Sequence, residues 1–318
     1  MMARRIAGSL TGLIFVACTC LPHPVHAQEV APPSAEATEV PAEIGVSSIT
    51  PGINVLSGAD GNLVVWSGAD GTVLVNSGRG GAKPALVEAI ARIAPGPVRF
   101  VFNTSGHVDH AGVNEAFAVS GAIVVGHESL RLNAGRDPAV PAGHADAPAT
   151  AAGRPMLTTN EALALHLNGD RLDVIHVAGA NTSGDFVLRW NDADVVALGD
   201  IYWAGQYPSL DVGSGGSLAG TVAAIEATLA RANDRTVIIP GHGPVSNRTE
   251  LAAYRDMLVG VGSRVRQALE QGMGLEDVLA TKPTAEYDAR FARPGATVAP
   301  DEFVRSVYRD LASKRPGR

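Results

Sequence analysis

Two histidines and an aspartate stand within four residues in His107-Val108-Asp109-His110, close behind the apolar run 98–103. A lone histidine in such a place is ordinarily a satisfied polar residue at a strand end. Three groups of this kind together form a ligand pattern. Zinc favours imidazole nitrogen and carboxylate oxygen, and a tight turn projects several short side chains to one point. Three later segments repeat the design of an apolar run ending in a polar tip: 179–185 (GANTSGD), 198–200 (LGD) and 239–243 (IPGHG). Strand ends that point the same way would gather Asp109, His110, Asp200 and His242 into one cluster. Each segment alone is weak evidence, since Gly-His-Gly also makes an ordinary turn; the four in this order are strong. Asp200 also reads as a structural acid, because ligating histidines need such partners. His127, His144, His166 and His176 have no metal spacing around them and read as structural. The glycines at 213, 215 and 216 do not form a phosphate loop, because no Lys-Ser/Thr follows.

The tips require elements to hold them. Residues 56–78, LSGADGNLVVWSGADGTVLVNSG, read as two strand-turn units, with turns at Asp60-Gly61 and Asp70-Gly71. A helix follows, with Leu86, Ile90 and Ile93 on one face, ended by Pro95-Gly96. Strands are expected at 98–103, 122–126, 163–167, 172–177, 186–190 and 195–198, and a buried one at 236–240. Leu218, Val222, Ile225 and Leu229 mark a helix between the last two. The tail, 248–318, is helical, with apolar stripes from Leu251 to Leu269 and from Phe303 to Leu311. Residues 127–160 read as loop. Strands and helix, then strands and helix again, predict two sheets with helices on the outer faces. No linker interrupts the span, so 51–318 is expected to be one domain.

The first 27 residues read as a secretory signal peptide: Arg4 and Arg5, an apolar stretch from Ala7 to Cys18, and a small-residue cleavage site at 25–27. It is too short and wrongly flanked for a membrane span. Cys18 and Cys20 are the only cysteines and leave with it, so a metal site must use His and carboxylate. Residues 28–50 are rich in Pro, Ala and Glu and are expected to be flexible. The 318-residue chain is 46% hydrophobic and 18% charged, a globular composition with a formal charge of −7. Losing Arg4 and Arg5 and no acid makes the exported form more acidic still. With no basic cluster, nucleic acid is not an expected partner. The expectations are a periplasmic or secreted protein, a small-molecule substrate, and no membrane association once the signal is removed.

These motifs resemble the metallo-β-lactamase superfamily from about Gly52 to Gly243. Its hallmark is Thr-His-x-His-x-Asp-His, then a distant His before Thr-x-Gly-Asp, then Gly-Asp, then Gly-His-Gly. The resemblance implies a four-layer αβ/βα sandwich, an α/β fold here carrying a C-terminal helical tail, with metals at one edge of its two sheets. It implies hydrolysis of β-lactams, thioesters, lactones, phosphodiesters or related bonds. The family's first histidine falls on Ser105 and its third on Asn181, and an early acid common in the family is Asn76. His107 alone remains of the first, three-histidine site. The second site is whole: Asp109, His110 and His242, with Asp200 in the bridging position. One imidazole cannot hold zinc usefully, whereas two imidazoles with carboxylates can.

The resulting expectation is a hydrolase using one zinc ion at Asp109, His110, Asp200 and His242. Catalytic roles are expected for His107 or Asp109 as the base that activates water, and for Asn181 as a donor to a substrate oxygen. Arg131, Arg136, Asp137, Arg154 and Asp211 are the charges expected near the pocket, with Tyr202, Trp203 and Tyr207 as its apolar wall. The alternative is a non-catalytic periplasmic binding protein on the same fold. Retention of every second-site position while both losses strike the first favours chemistry.

Overall fold

The computed structural model describes residues 43–94, 96–133 and 151–314. The first half alternates short apolar runs with turns and builds a sheet of seven described strands in sequence order. Strands β1 (Gly45–Thr50), β2 (Ile53–Ser57), β3 (Leu63–Gly68) and β4 (Gly71–Val75) form an antiparallel meander. Helix α1 (Lys83–Ile93) carries the chain across to β5 (Val98–Phe102), which runs parallel to β4. Two short helices, α2 (Val108–Ala111) and α3 (Asn114–Val119), precede β6 (Ile123–His127). Helix α4 (Glu128–Asn133) follows, and β7 (Leu157–Thr159) closes the edge parallel to β6.

The second sheet holds β8 (Ala162–Leu167), β9 (Asp170–Val177), β10 (Asp185–Trp190), β11 (Val195–Ala197), β12 (Val237–Ile239) and β13 (Ser246–Asn247), in the reverse spatial order β13 to β8. Helix α5 (Leu218–Arg231) links β11 to its parallel neighbour β12. The tail is α6 (Arg248–Glu270), α7 (Leu275–Ala280), α8 (Asp288–Phe291) and α9 (Pro300–Ser313). Among the described residues no helix is long and apolar enough to cross a membrane.

The two-residue period of the strands sorts side chains into separate cores. Val64 and Trp66 of β3 join Leu172, Phe186, Leu188 and Trp190 between the sheets, while Leu63 and Val65 pack on Leu86 and Ile90 of α1. On β11, Val195 and Ala197 face the inter-sheet core, and Val196 faces α5 and the tail. The result is helix, sheet, sheet, helix. Trp66 and Trp190 meet edge to face at 6.1 Å in the middle layer.

Most expected elements form within a residue or two, but several expectations require correction. Residues 45–50 are not a flexible segment: they pair with β2 as an edge strand whose side chains are largely exposed, so they show no apolar period. The stretch 127–160 is not all loop, since α4 and β7 lie within it. Arg136, Asp137, His144 and the signal segment lie outside the described residues.

Candidate metal centre

The parallel pair β11 and β12 ends at one edge of its sheet, and β9, antiparallel to β10 as β11 is, ends there too. Their tips are the polar segments singled out above. His107 immediately precedes α2, whose single turn carries Asp109 and His110. The His110 carbonyl fixes that turn, accepting from Ser77 N at 2.7 Å, Ser77 Oγ at 3.2 Å and Asn103 Nδ2 at 3.0 Å. Asn76, with φ of 65°, accepts Thr104 N and Oγ1 on its amide oxygen at 2.9 and 3.0 Å. An amide oxygen thus serves as acceptor where the resembling family commonly has an acid.

Asp200 stands on a tight turn, Gly199–Ile201. Gly199 has φ of 52°, and a Cβ there would lie 2.4 Å from Thr104 Oγ1, so only glycine fits. The Gly-His-Gly turn is held from the first sheet: Asn62 Nδ2 donates to Pro240 O at 2.9 Å and to Gly243 O at 2.8 Å. Gly61 completes the wall, where an added Cβ would sit 3.6 Å from His110 Cε1 and 3.7 Å from His242 Cε1.

These supports bring Asp109, His110, Asp200 and His242 together, with one ligand atom from each inside a 4.8 Å span. His110 Nε2 lies 2.8 Å from Asp200 Oδ1, and His242 Nε2 lies 3.1 Å from the same oxygen and 3.2 Å from Asp109 Oδ2. Tetrahedral zinc with its usual bond lengths sets neighbouring N and O ligands roughly 3.3 Å apart. Yet among the described residues His110 Nδ1 and Nε2, His242 Nε2 and Asp200 Oδ1 are buried without an aligned hydrogen-bond partner. Buried polar atoms that converge without bonding one another are costly unless something else satisfies them. The donor set and its spacing fit a metal ion.

The electrostatics follow from the same crowding. Burial opposes charge on both acids, but the charge of His110 and the nearness of the other histidines outweigh it, holding Asp109 below and Asp200 well below the usual carboxylate range. Burial also opposes charge on His242, and the carboxylates of Asp109 and Asp200 overcome it and lift its pKa to about 9. His110 is raised against burial by the charges of Asp200 and Asp109.

The sequence profile of the metallo-beta-lactamase superfamily matches residues 61–242, more than half of the chain. The chain belongs to this family. Solved structures agree in fold. The sec-alkylsulfatase Pisa1 from Pseudomonas sp. superposes with a TM-score of 0.65 at 19% identity, covering 86% of this chain and 51% of the other. A double mutant of that enzyme gives 0.67 at 18% identity, so this chain spans about half the length of those relatives. A metallo-beta-lactamase from Pontibacter korlensis gives 0.57 at 20% identity, covering 68% of this chain and 98% of that one. No curated protein matches the sequence.

Within this metallo-β-lactamase fold, the remaining expected residues divide. His107 is buried beside the cluster, its Nδ1 2.8 Å from Asp200 Oδ2 and its Nε2 3.1 Å from Asp211 Oδ2. Both ring nitrogens therefore face carboxylates. Ser105 is buried, with its Oγ accepting His107 N at 3.4 Å. Asn181 is buried with Nδ2 lacking a hydrogen-bond partner among the described residues. Asp185 accepts Thr182 N and Oγ1, both at 2.7 Å; burial first, and the charge of Asp200 after it, push its pKa to about 7.

The aromatic wall needs correction. Tyr202 and Tyr207 lie in the core between the second sheet and the tail; their hydroxyls meet Ser246 and Asp288. Only Trp203 faces the cluster, its ring stacked on His242 at 3.8 Å and 25°. Asp211, read from sequence as a pocket charge, touches His107. Its only sequence signal is an acid set between Leu210 and Val212.

Proposed function

We propose that this protein is a hydrolase that works with one zinc ion held by Asp109, His110, Asp200 and His242. The single observation that supports this reading is the convergence of two imidazoles and two carboxylates whose facing atoms do not hydrogen-bond one another. Bound there, zinc supplies a Lewis acid that polarises the scissile carbonyl or its leaving group. The substrate class is a small ester, lactone or β-lactam.

The protein's own groups do the rest. Asp109 keeps its charge at neutral pH. It receives the proton of the attacking water on Oδ1, since Oδ2 is the atom facing His242. His107, with both nitrogens occupied, acts as a fixed donor rather than the base expected from sequence. Asn181 Nδ2, buried with no hydrogen-bond partner among the described residues, has a donor to give to a substrate oxygen that develops charge. Trp203 covers one face of His242 and excludes water from it.

Metal analysis and a hydrolysis panel test this together. The exported protein, beginning near Gln28, should bind one equivalent of zinc. His110→Ala and His242→Ala should abolish binding, and Ser105→Ala should leave it unchanged. Two tight equivalents, or none, would overturn the reading. The buried Ser105 and Asn181 in place of first-site histidines favour a second reading, a zinc-loaded binding protein without catalysis. Stoichiometric zinc with no turnover across β-lactams, lactones, thioesters and sulfate esters decides for it.

A further inference from the structure

His107 poses a problem. In the family pattern it is a ligand of the first metal, yet here both companion histidines are gone while it persists in a buried position. The loop between β11 and α5 supplies the reason. Asp211 Oδ2 meets His107 Nε2 at 3.1 Å, His107 Nδ1 meets Asp200 Oδ2 at 2.8 Å, and Asp200 Oδ1 meets His110 Nε2 at 2.8 Å and His242 Nε2 at 3.1 Å. Carboxylate, imidazole and carboxylate thus form an unbroken line into the cluster. The side chains of Asp211, His107 and Asp200 are 10%, 7% and 2% exposed, so water competes little for these bonds.

The line is anchored at its outer end. Asp211 Oδ1 accepts Ser214 N at 3.0 Å, and its carbonyl accepts Gly216 N at 2.9 Å. The same loop is stitched to the segment holding Asn181, through Ser183 N to Ser214 O at 2.9 Å and Ser217 N to Ala180 O at 2.8 Å. A Cβ on Gly216 would fall 2.0 Å from Asn181 O, so the two segments are in direct backbone contact. A carboxylate on a single-bond stem rotates unless one oxygen is tied. Here Oδ2 of Asp200 is tied to a ring, and the ring is in turn tied at its far nitrogen.

We propose that Asp211 is a positioning residue of the metal centre: through His107 it fixes the Asp200 carboxylate with Oδ1 turned toward His110 and His242. The inference rests on the proposed one-metal reading and deepens it, because His107 has become an anchor for the surviving site instead of a ligand for the lost one.

The test is zinc affinity, measured by competition with a chromophoric chelator, in wild type, Asp211→Ala, Asp211→Asn, His107→Leu and the double variant His107→Leu/Asp211→Ala. Outer partners of ligating groups typically change metal affinity by about 10–100-fold, and Asp211→Ala should lose that much. Asp211→Asn, whose amide oxygen still accepts from Nε2–H, should recover part of the loss, which a merely space-filling role would not produce. The double variant should bind no more weakly than His107→Leu alone, because Asp211 acts only through that ring. Wild-type affinity in Asp211→Ala, or additive losses in the double variant, overturns the proposal. The thermal transition of each metal-free variant shows whether it folds. A second measurement serves if wild type binds no zinc, which would sink the one-metal reading, or if Asp211→Ala does not fold. In metal-free wild type, nitrogen-correlated proton spectra should show slowly exchanging protons on both His107 ring nitrogens, and Asp211→Asn should move the Nδ1 proton as well as the Nε2 proton. A rapidly exchanging Nε2 proton, or an Nδ1 proton that ignores Asp211→Asn, overturns the positioning role itself.

Discussion

A zinc ligand must be a neutral imidazole, and His242 holds its proton until pH rises to about 9 because Asp109 and Asp200 outweigh the effect of burial. Zinc binding near pH 7.5 should therefore release at least one proton, and apparent affinity should climb with pH until about 9. Calorimetry in buffers of different ionisation heat reads the proton count directly; a count of zero at pH 7.5 would contradict the electrostatics described. In the metal-free protein the sign for stability is opposite. A histidine whose folded pKa is raised adds stability in full below its unfolded value, about 6.5, and loses it as pH rises through the folded value. The metal-free unfolding temperature should fall between pH 6.5 and 9, and His242→Ala should flatten that fall. At this scale the four clustered residues were legible because each sits in a polar tip with a recognisable neighbour. Asp211 was legible only as a nearby charge, since no spacing ties it to His107, which lies 104 residues earlier in the chain. The two carboxylates that flank His107 were hidden for the same reason: a sequence does not reveal which acids face a ring.

Elements set the angle at which those residues meet. The turn carrying Asp200 depends on Gly199, whose left-handed backbone leaves no room for a Cβ beside Thr104. Gly199→Ala should destabilise the protein by about 1–3 kcal/mol, the usual range for a strained backbone, and lower its zinc affinity. Chemical denaturation with and without metal separates the two effects. The strands flanking this turn were readable from their apolar runs, as were α1, α5, α6 and α9 from their stripes. Edge elements were not. In β1 four of six residues are exposed, and β7 is three residues long, so neither shows a two-residue period. Pairing to a neighbouring strand creates them, and pairing partners are invisible in a local window.

The whole molecule makes the tail part of the site's foundation. Phe303 of α9 stacks on Tyr207 at 5.2 Å, in the loop that leads from Asp200 to Asp211, and Asp310 accepts Leu218 N at 3.0 Å at the start of α5. A buried carboxylate at a helix N-terminus satisfies an otherwise unpaired donor and complements the helix dipole. Phe303→Ala should cost about 3–5 kcal/mol, as large aromatic truncations in packed cores do, and should weaken zinc binding through the loop. Full-strength zinc binding in a folded Phe303→Ala protein would show that the tail and the centre are independent. The layered architecture was expected from the order of strands and helices. That the tail packs on the sheet whose tips carry Asp200 and His242 was not, because an apolar stripe does not name the surface it covers.

The stacking of Trp203 on His242 gives the molecule an optical reporter of its own. Indole emission is quenched by a charged imidazole in contact with it, and this ring lies 3.8 Å from a histidine that would lose its proton on binding a metal. The other two tryptophans, Trp66 and Trp190, face each other in the inter-sheet core and supply a constant background. Occupancy of the centre should be readable as a rise in fluorescence that disappears in Trp203→Phe, with no dye and no substrate required.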